Sequence, residues 1–280
     1  MPKIWLESSK GKAIIMDFKR NNRIRFFTLI FLAIIICTFD SACADNNKDT
    51  LFQVSTINAL LEGLYDGDVG LKEIKGHGDF GIGTFDKLDG EMIFLDGKFY
   101  QVKYDGNVSL INDDTKSPFA VVTFFETDKS QELADLPNYK ALTLSLDKLL
   151  PTRNIFYAIK INGNFEYIKT RSVPSQKKPY PKLIEVAKKQ SIFEFDNIDG
   201  TIVGFYAPGF IKGVNVPGYH LHFISRDKKG GGHLLDCRIK NVTVELDDTH
   251  TFIVELPESD SFHGLDLTRE QNKELEKIER

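Results

Sequence analysis

Gly218-Tyr219-His220-Leu221-His222-Phe223-Ile224-Ser225, then Arg226 to Gly232, then His233, is the stretch on which the reading of this chain turns. Its first eight residues favour a strand. Side chains at i and i+2 of a strand share a face, so His220 and His222 converge while Leu221 and Phe223 point the other way, into a core. Asp227-Lys228-Lys229-Gly230-Gly231-Gly232 has the composition of a flexible turn. Chain reversal there returns His233 to the side of the first pair. Three imidazoles leave one coordination position open, the pattern of a catalytic zinc. Imidazole suits Zn²⁺, but Cu, Ni or Fe fit the same donors. Three of the chain's six histidines fall in this short span. A partly exposed strand pair beside a Gly-rich loop, without metal, accounts for the same residues.

Working outward, strand signals dominate. Thr201–Tyr206, His233–Leu246 and Thr251–Leu256 surround the histidine stretch. Phe119–Phe125 is rich in β-branched and aromatic residues. Asp96-Gly97 sits between Met92-Ile93-Phe94 and Phe99-Tyr100-Gln101, a hairpin pattern, and Asn162-Gly163 between Phe156–Ile161 and Phe165–Thr170 is a stronger one. Helix signals are few. Ile57, Leu60, Leu61 and Leu64 recur at helical spacing, Lys182–Gln190 is a short candidate, and Thr268–Arg280 is charged and helix-prone with Thr268 as N-cap. Hairpins without regular βαβ alternation give an α+β fold of two strand-rich lobes, with mixed or antiparallel sheets and a few short helices. Pro174, Pro179 and Pro181 mark a linker, so the lobes are expected over residues 45–175 and 176–280, the second holding the histidines.

The 280 residues are 41% hydrophobic and 27% charged, with a formal net charge of −4. That is ample for a buried core, and nothing in it points to nucleic acid as a partner. The N-terminus reads as an export signal over residues 1–44. Lys19, Arg20, Arg23 and Arg25 precede an apolar run from Phe26 to Phe39, and Ala42-Cys43-Ala44 follows as a cleavage site. The run is short for a spanning helix. Met16 is an alternative start that gives the usual short basic head. Retention of the segment as an anchor, or lipidation of Cys43, would tie the protein to a membrane, although Asp40 stands where a lipoprotein box has leucine. Cleavage after Ala44 leaves 29 Lys and Arg against 37 Asp and Glu, an acidic product with a net charge of −8. It also leaves Cys237 as the one cysteine of three, so no intrachain disulfide is possible. The expected location is periplasmic or secreted rather than cytoplasmic.

An open metal site needs partners. Arg171 follows a strand signal and precedes Ser172-Val173-Pro174; by itself it reads as a surface arginine. Glu91 enters a hydrophobic strand, where a half-buried carboxylate has a raised pKa; acids at strand starts are more often solvated.

Six segments resemble the alpha-acetolactate decarboxylase family in order and spacing, over residues 50 to 280. They are Phe52-Gln53-Val54-Ser55-Thr56, Gly78-Asp79-Phe80-Gly81-Ile82-Gly83-Thr84-Phe85, Leu88-Asp89-Gly90-Glu91-Met92, Phe156-Tyr157-Ala158-Ile159-Lys160, Lys169-Thr170-Arg171-Ser172-Val173-Pro174 and Gly218-Tyr219-His220-Leu221-His222-Phe223. The resemblance implies a homodimer that decarboxylates 2-acetolactate to acetoin and CO₂. It implies zinc on His220, His222 and His233, and Arg171 on the substrate carboxylate. It further implies Thr84 at the substrate, and Glu91 with a C-terminal glutamate moving protons. Glu279 is the expected match for that glutamate, with Glu274 and Glu276 close by. The N-terminal extension departs from many family members. Rival readings are a zinc hydrolase using the same histidines, a non-catalytic envelope binding protein, and a structural metal module closed by Cys237.

Overall fold

Strands dominate residues 48–279, the part of the chain that this computed structural model describes. The expected signal segment, Met16 and Cys43 lie outside the described residues. The chain runs β1 (Thr50–Val54), α1 (Ile57–Leu61), β2 (Val69–Gly70), α2 (Leu71–Ile74), β3 (Phe80–Thr84), β4 (Glu91–Leu95), β5 (Lys98–Val102), β6 (Val108–Ile111), β7 (Lys116–Ser117) and β8 (Ala120–Thr123). It continues with β9 (Lys129–Leu136), α3 (Tyr139–Asp147), β10 (Phe156–Ser172), α4 (Leu183–Ala187), β11 (Ser191–Ala207), β12 (Gly218–Ser225), β13 (Gly231–Thr249), β14 (Thr251–Glu255), α5 (Asp260–His263) and α6 (Asn272–Ile278). This is the α+β class expected from the hairpin signals.

One sheet has seven strands in the order β14-β1-β8-β3-β4-β5-β6, antiparallel except where β14 lies parallel to β1. The other has the order β10-β11-β12-β13-β9, and β10 also pairs with β13. Four strands, β10 to β13, thus close on themselves around a core of Ile159, Phe165, Leu221, Phe223 and Cys237. Leu221 and Phe223 are 1% and 0% exposed, so the alternation along β12 does send them inward, away from the histidines. Closure removes two sheet edges that would otherwise need protection. Cys237 is buried in that core as a free thiol, in register with Ile168.

Sheet membership does not follow the linker near residue 175. β9 and β10 precede it yet belong to the second sheet, whereas β14 follows it and extends the first. The reason is pairing: β10 finds both of its neighbours, β11 and β13, later in the chain.

The two hairpin signals had different fates. Asp96 and Gly97 both have positive φ, 52° and 68°, and join β4 to β5 in the two-residue turn that suits strand twist. Asn162-Gly163 forms no turn. The strand runs through it for 17 residues, paired with β11 on one side and β13 on the other. Gly163 instead permits close approach, because a Cβ there would collide with the Asn241 carbonyl and Val242 Cα. Two flanking ladders hold the backbone extended and override the local turn preference.

Thr56 caps α1 as its hydroxyl accepts from the Ala59 amide at 3.2 Å. The C-terminal helix starts later than expected. Thr268 does not cap it; its hydroxyl donates to Asp266 at 2.6 Å, and α6 begins at Asn272. Leu275 and Ile278 then bury one thin stripe in the core between the sheets.

Gly163→Ala tests the account of β10. It is expected to destabilise the protein by about 1–3 kcal/mol through overpacking. Urea denaturation followed by fluorescence checks this; an unchanged midpoint would contradict the close contact with β13.

Candidate metal centre and active site

Register brings the functional side chains together. β12 and β13 pair at His222 and His233, and β13 and β10 pair at His233 and Arg171. Directly paired residues present their side chains on one face. Arg171, His233 and His222 therefore form a row across three strands, and His220 lies two residues along β12 on the same face. The turn between the two histidine strands is tightly organised: the Ser225 hydroxyl donates to Asp227 at 2.7 Å and accepts from the Gly230 amide at 3.0 Å.

The three imidazole rings form a nearly equilateral triangle with centroid separations of 5.2, 5.1 and 5.3 Å. One ring nitrogen from each lies within 4.8 Å of the others, and among the described residues this is the cluster of His, Cys, Asp or Glu able to hold a metal ion. Cys237 is not part of it. The Nδ1–H of His222 donates to the Met92 carbonyl at 2.8 Å, which leaves Nε2 as the free donor on the cleft side. Burial, with lesser contributions from neighbouring positive charge, holds His220 down to about 3 and His222 and His233 well below the ordinary imidazole value. All three are neutral at physiological pH, the form in which imidazole binds metal. The donor set fits a divalent cation.

Charged side chains surround the triangle. Arg171 Nη1 lies 3.1 Å from Glu91 Oε1, and Nη2 lies 3.9 Å from Glu279 Oε1. Glu91 Oε2 is 3.7 Å from His222 Nε2. Glu279 Oε2 is 3.8 Å from His220 Nε2 and 3.7 Å from His233 Nε2. Burial pushes both carboxyls up to about 7, against the pull of Arg171. Arg171 Nε, His220 Nδ1 and Glu279 Oε2 are buried without a hydrogen-bond partner. Such orphans are uncommon in a folded interior, and the atoms of a bound ligand would satisfy these three.

Thr84, Glu91, Arg171, His220, His222, His233 and Glu279 all line one narrow cleft with a cavity volume of about 40 Å³. Thr84 and Glu91 face each other across β3 and β4. The Thr84 hydroxyl donates to the Gly90 carbonyl at 2.7 Å, so its proton is already committed. Of the three C-terminal glutamates, Glu279 reaches the cleft while Glu274 and Glu276 do not, because burial of Leu275 and Ile278 orients α6. Arg171 is 5% exposed and Glu91 6%, so the surface reading of either residue does not hold. His77 lies apart, stacked on Phe52 at 3.8 Å.

Two features of the cleft went unread in the sequence. One is the Met92 carbonyl, a backbone group with no signature of its own. The other is an apolar wall of Ile57, Leu60, Leu88, Phe119, Val173 and Leu183. Their periodicity marks them as interior, and nothing local separates a core side chain from one that lines a cleft.

Residues 51–269 match the protein family described as alpha-acetolactate decarboxylase. The alpha-acetolactate decarboxylase of Methanosarcina mazei is 49% identical over 237 residues, 85% of this chain and 82% of that protein. Its namesake from Brevibacillus brevis is 46% identical over 232 residues, covering 83% and 81%. The crystal structure of alpha-acetolactate decarboxylase from Bacillus subtilis strain 168 superposes with a TM-score of 0.80 at 42% identity, over 82% of this chain and 99% of that one. With a matched region that spans both sheets and six of the seven cleft residues named above, this chain belongs to the alpha-acetolactate decarboxylase family.

Proposed function

We propose that this protein decarboxylates 2-acetolactate to acetoin and CO₂, with Zn²⁺ held by His220, His222 and His233. The observation that carries the reading is the triangle of neutral imidazoles facing a buried Arg171 flanked by two carboxyls of raised pKa. A cation on the triad supplies a Lewis acid for the negative charge that develops on the ketone oxygen.

The remaining work falls to the chain itself. The guanidinium fork of Arg171 binds the substrate carboxylate and aligns the bond that breaks. As CO₂ leaves, the bonding electron pair moves onto the adjoining carbon–carbon bond and the ketone oxygen. The carbon that lost CO₂ then needs a proton. Glu91 and Glu279, with pKa values near 7, each retain a proton close to neutrality and stand on the cleft wall to deliver it. Delivery from one face sets the configuration of acetoin. The apolar wall takes the two methyl groups and keeps water from the reacting carbon. A hydrolase reading would use the same histidines, but release of CO₂ from acetolactate distinguishes the two.

Export and homodimer formation remain part of the proposal. Export rests on Lys19 to Arg25, the apolar run and Ala42-Cys43-Ala44. The homodimer rests on the family resemblance.

Treatment with a chelator is expected to abolish acetoin formation, and Zn²⁺ to restore it; full activity in metal-free protein would refute the metal role. Arg171→Lys keeps the charge but loses the two-pronged geometry, and is expected to lower kcat/KM by about 100-fold. Steady-state kinetics check this; near-normal values would place the carboxylate elsewhere. Mass spectrometry of the exported protein is expected to find an N-terminus after Ala44, and light scattering a mass of twice the mature chain.

A further inference from the structure

We propose that Ser172 is a positioning residue that sets the geometry between Arg171 and Glu91. The inference rests on the decarboxylase reading for its kinetic consequences, but not for the contact itself. Arg171 and Glu91 are 80 residues apart in sequence and come from different sheets, yet meet at 3.1 Å. A buried ion pair between two sheets keeps its geometry when a second, independent link ties the same two sheets. Ser172, the neighbour of Arg171 and the last residue of β10, provides that link. Its hydroxyl donates to the Val102 carbonyl at 2.8 Å, and Ser172 is 0% exposed.

Val102 is the register partner of Glu91 across β4 and β5. Its carbonyl is also where the backbone of Gly90 passes so closely that any Cβ at 90 would collide with it. The Gly90 carbonyl in turn accepts from the Thr84 hydroxyl at 2.7 Å. Glu91 is thus bracketed by two fixed carbonyls, one held by Thr84 and the other by Ser172. Two residues earlier in β10, the Thr170 hydroxyl donates to the Gly231 carbonyl at 2.8 Å, tying the same strand to the histidine strand β13. Ser172 is one of two hydrogen-bonded bridges beside Glu91 from this histidine-bearing sheet to the sheet that carries Glu91, the other being His222 Nδ1–H to the Met92 carbonyl. Arg171 and Glu91 act on different atoms of the substrate, so an error in their separation is felt in the transition state more than in binding; displacement of about 1 Å can lower rates by about 100-fold.

The experiment compares Ser172→Ala, Ser172→Thr and Tyr157→Phe in the full-length, metal-loaded protein. Tyr157→Phe removes another buried hydroxyl from β10, one that donates to the Thr152 carbonyl at 2.9 Å and touches nothing in the cleft. Ser172→Ala is expected to lower kcat by about tenfold or more, with KM within about threefold of the parent. Ser172→Thr, which keeps the hydroxyl, is expected to recover most of that kcat, and Tyr157→Phe to leave kcat unchanged. Equal losses in all three, or parental kcat in Ser172→Ala, would overturn the proposal. A crystal structure of Ser172→Ala gives a readout independent of turnover: Arg171 Nη1 is expected to move beyond hydrogen-bond reach of Glu91 Oε1, and an unchanged contact would also overturn it. If Ser172→Ala does not fold, the near-isosteric Ser172→Cys, with a much weaker donor, carries the same expectations. Failure of the parent protein to make acetoin would sink the decarboxylase reading alone, since the structural comparison still decides the role of Ser172.

Discussion

The pairing of His233 with His222 on one side and Arg171 on the other is the constraint on which this site depends. It exists because β10, β11, β12 and β13 close into a ring. In an open sheet of the same strands, β10 and β13 would be separated by β11 and β12, and Arg171 would stand too far from His233 to share its row. Closure requires β13 to approach both neighbours tightly just before His233. Gly231 and Gly232 meet that demand: a side chain at 231 would run into the Phe223 carbonyl, and one at 232 into the Arg171 carbonyl. The glycines read in the sequence as a loose turn are in large part strand residues selected for lack of a Cβ.

Burial then determines the electrostatics. Imidazoles removed from water resist protonation and carboxyls removed from water resist ionisation, so the cluster approaches neutrality around a single guanidinium. Arg171 has its charge balanced only in part, because Glu91 and Glu279 sit near the midpoint of their titration at neutral pH. Three buried polar atoms left without partners, Arg171 Nε, His220 Nδ1 and Glu279 Oε2, lie among the same residues. Such a cluster adds little to stability, since ion pairs of this kind scarcely offset their own desolvation. The support comes from the apolar side chains that pack behind it, including the Leu275 and Ile278 stripe that presents Glu279.

How much of this was legible in the sequence follows from the range of the signal. Alternation along Tyr219–Ser225 put His220 and His222 on one face and Leu221 and Phe223 on the other, and the structure agrees. Asp96-Gly97 made its hairpin because both residues accept positive φ where the strands needed it. Asn162-Gly163 has the same local preference and lost it to two flanking ladders. β9, with the polar sequence Lys129-Ser130-Gln131-Glu132-Leu133-Ala134-Asp135-Leu136, carries no strand signature and owes its conformation to pairing with β13. Strand pairing crosses the boundary suggested by Pro174 to Pro181 in both directions.

By itself, the sequence determined what adjacent residues can specify: an α+β chain rich in strands, the shared face of two histidines, one tight hairpin, and a resemblance strong enough to name the family. Only the tertiary structure decided that Arg171 and Glu91 are buried partners, that Glu279 rather than its neighbours enters the cleft, that the Thr84 hydroxyl donates to the Gly90 carbonyl, and that an apolar wall faces the three histidines. The physical reason is that periodicity and turn chemistry act over a few residues. The convergence of groups as far apart as residues 84 and 279 depends on which strands pair and in what register, and that is settled by the packing of the whole core.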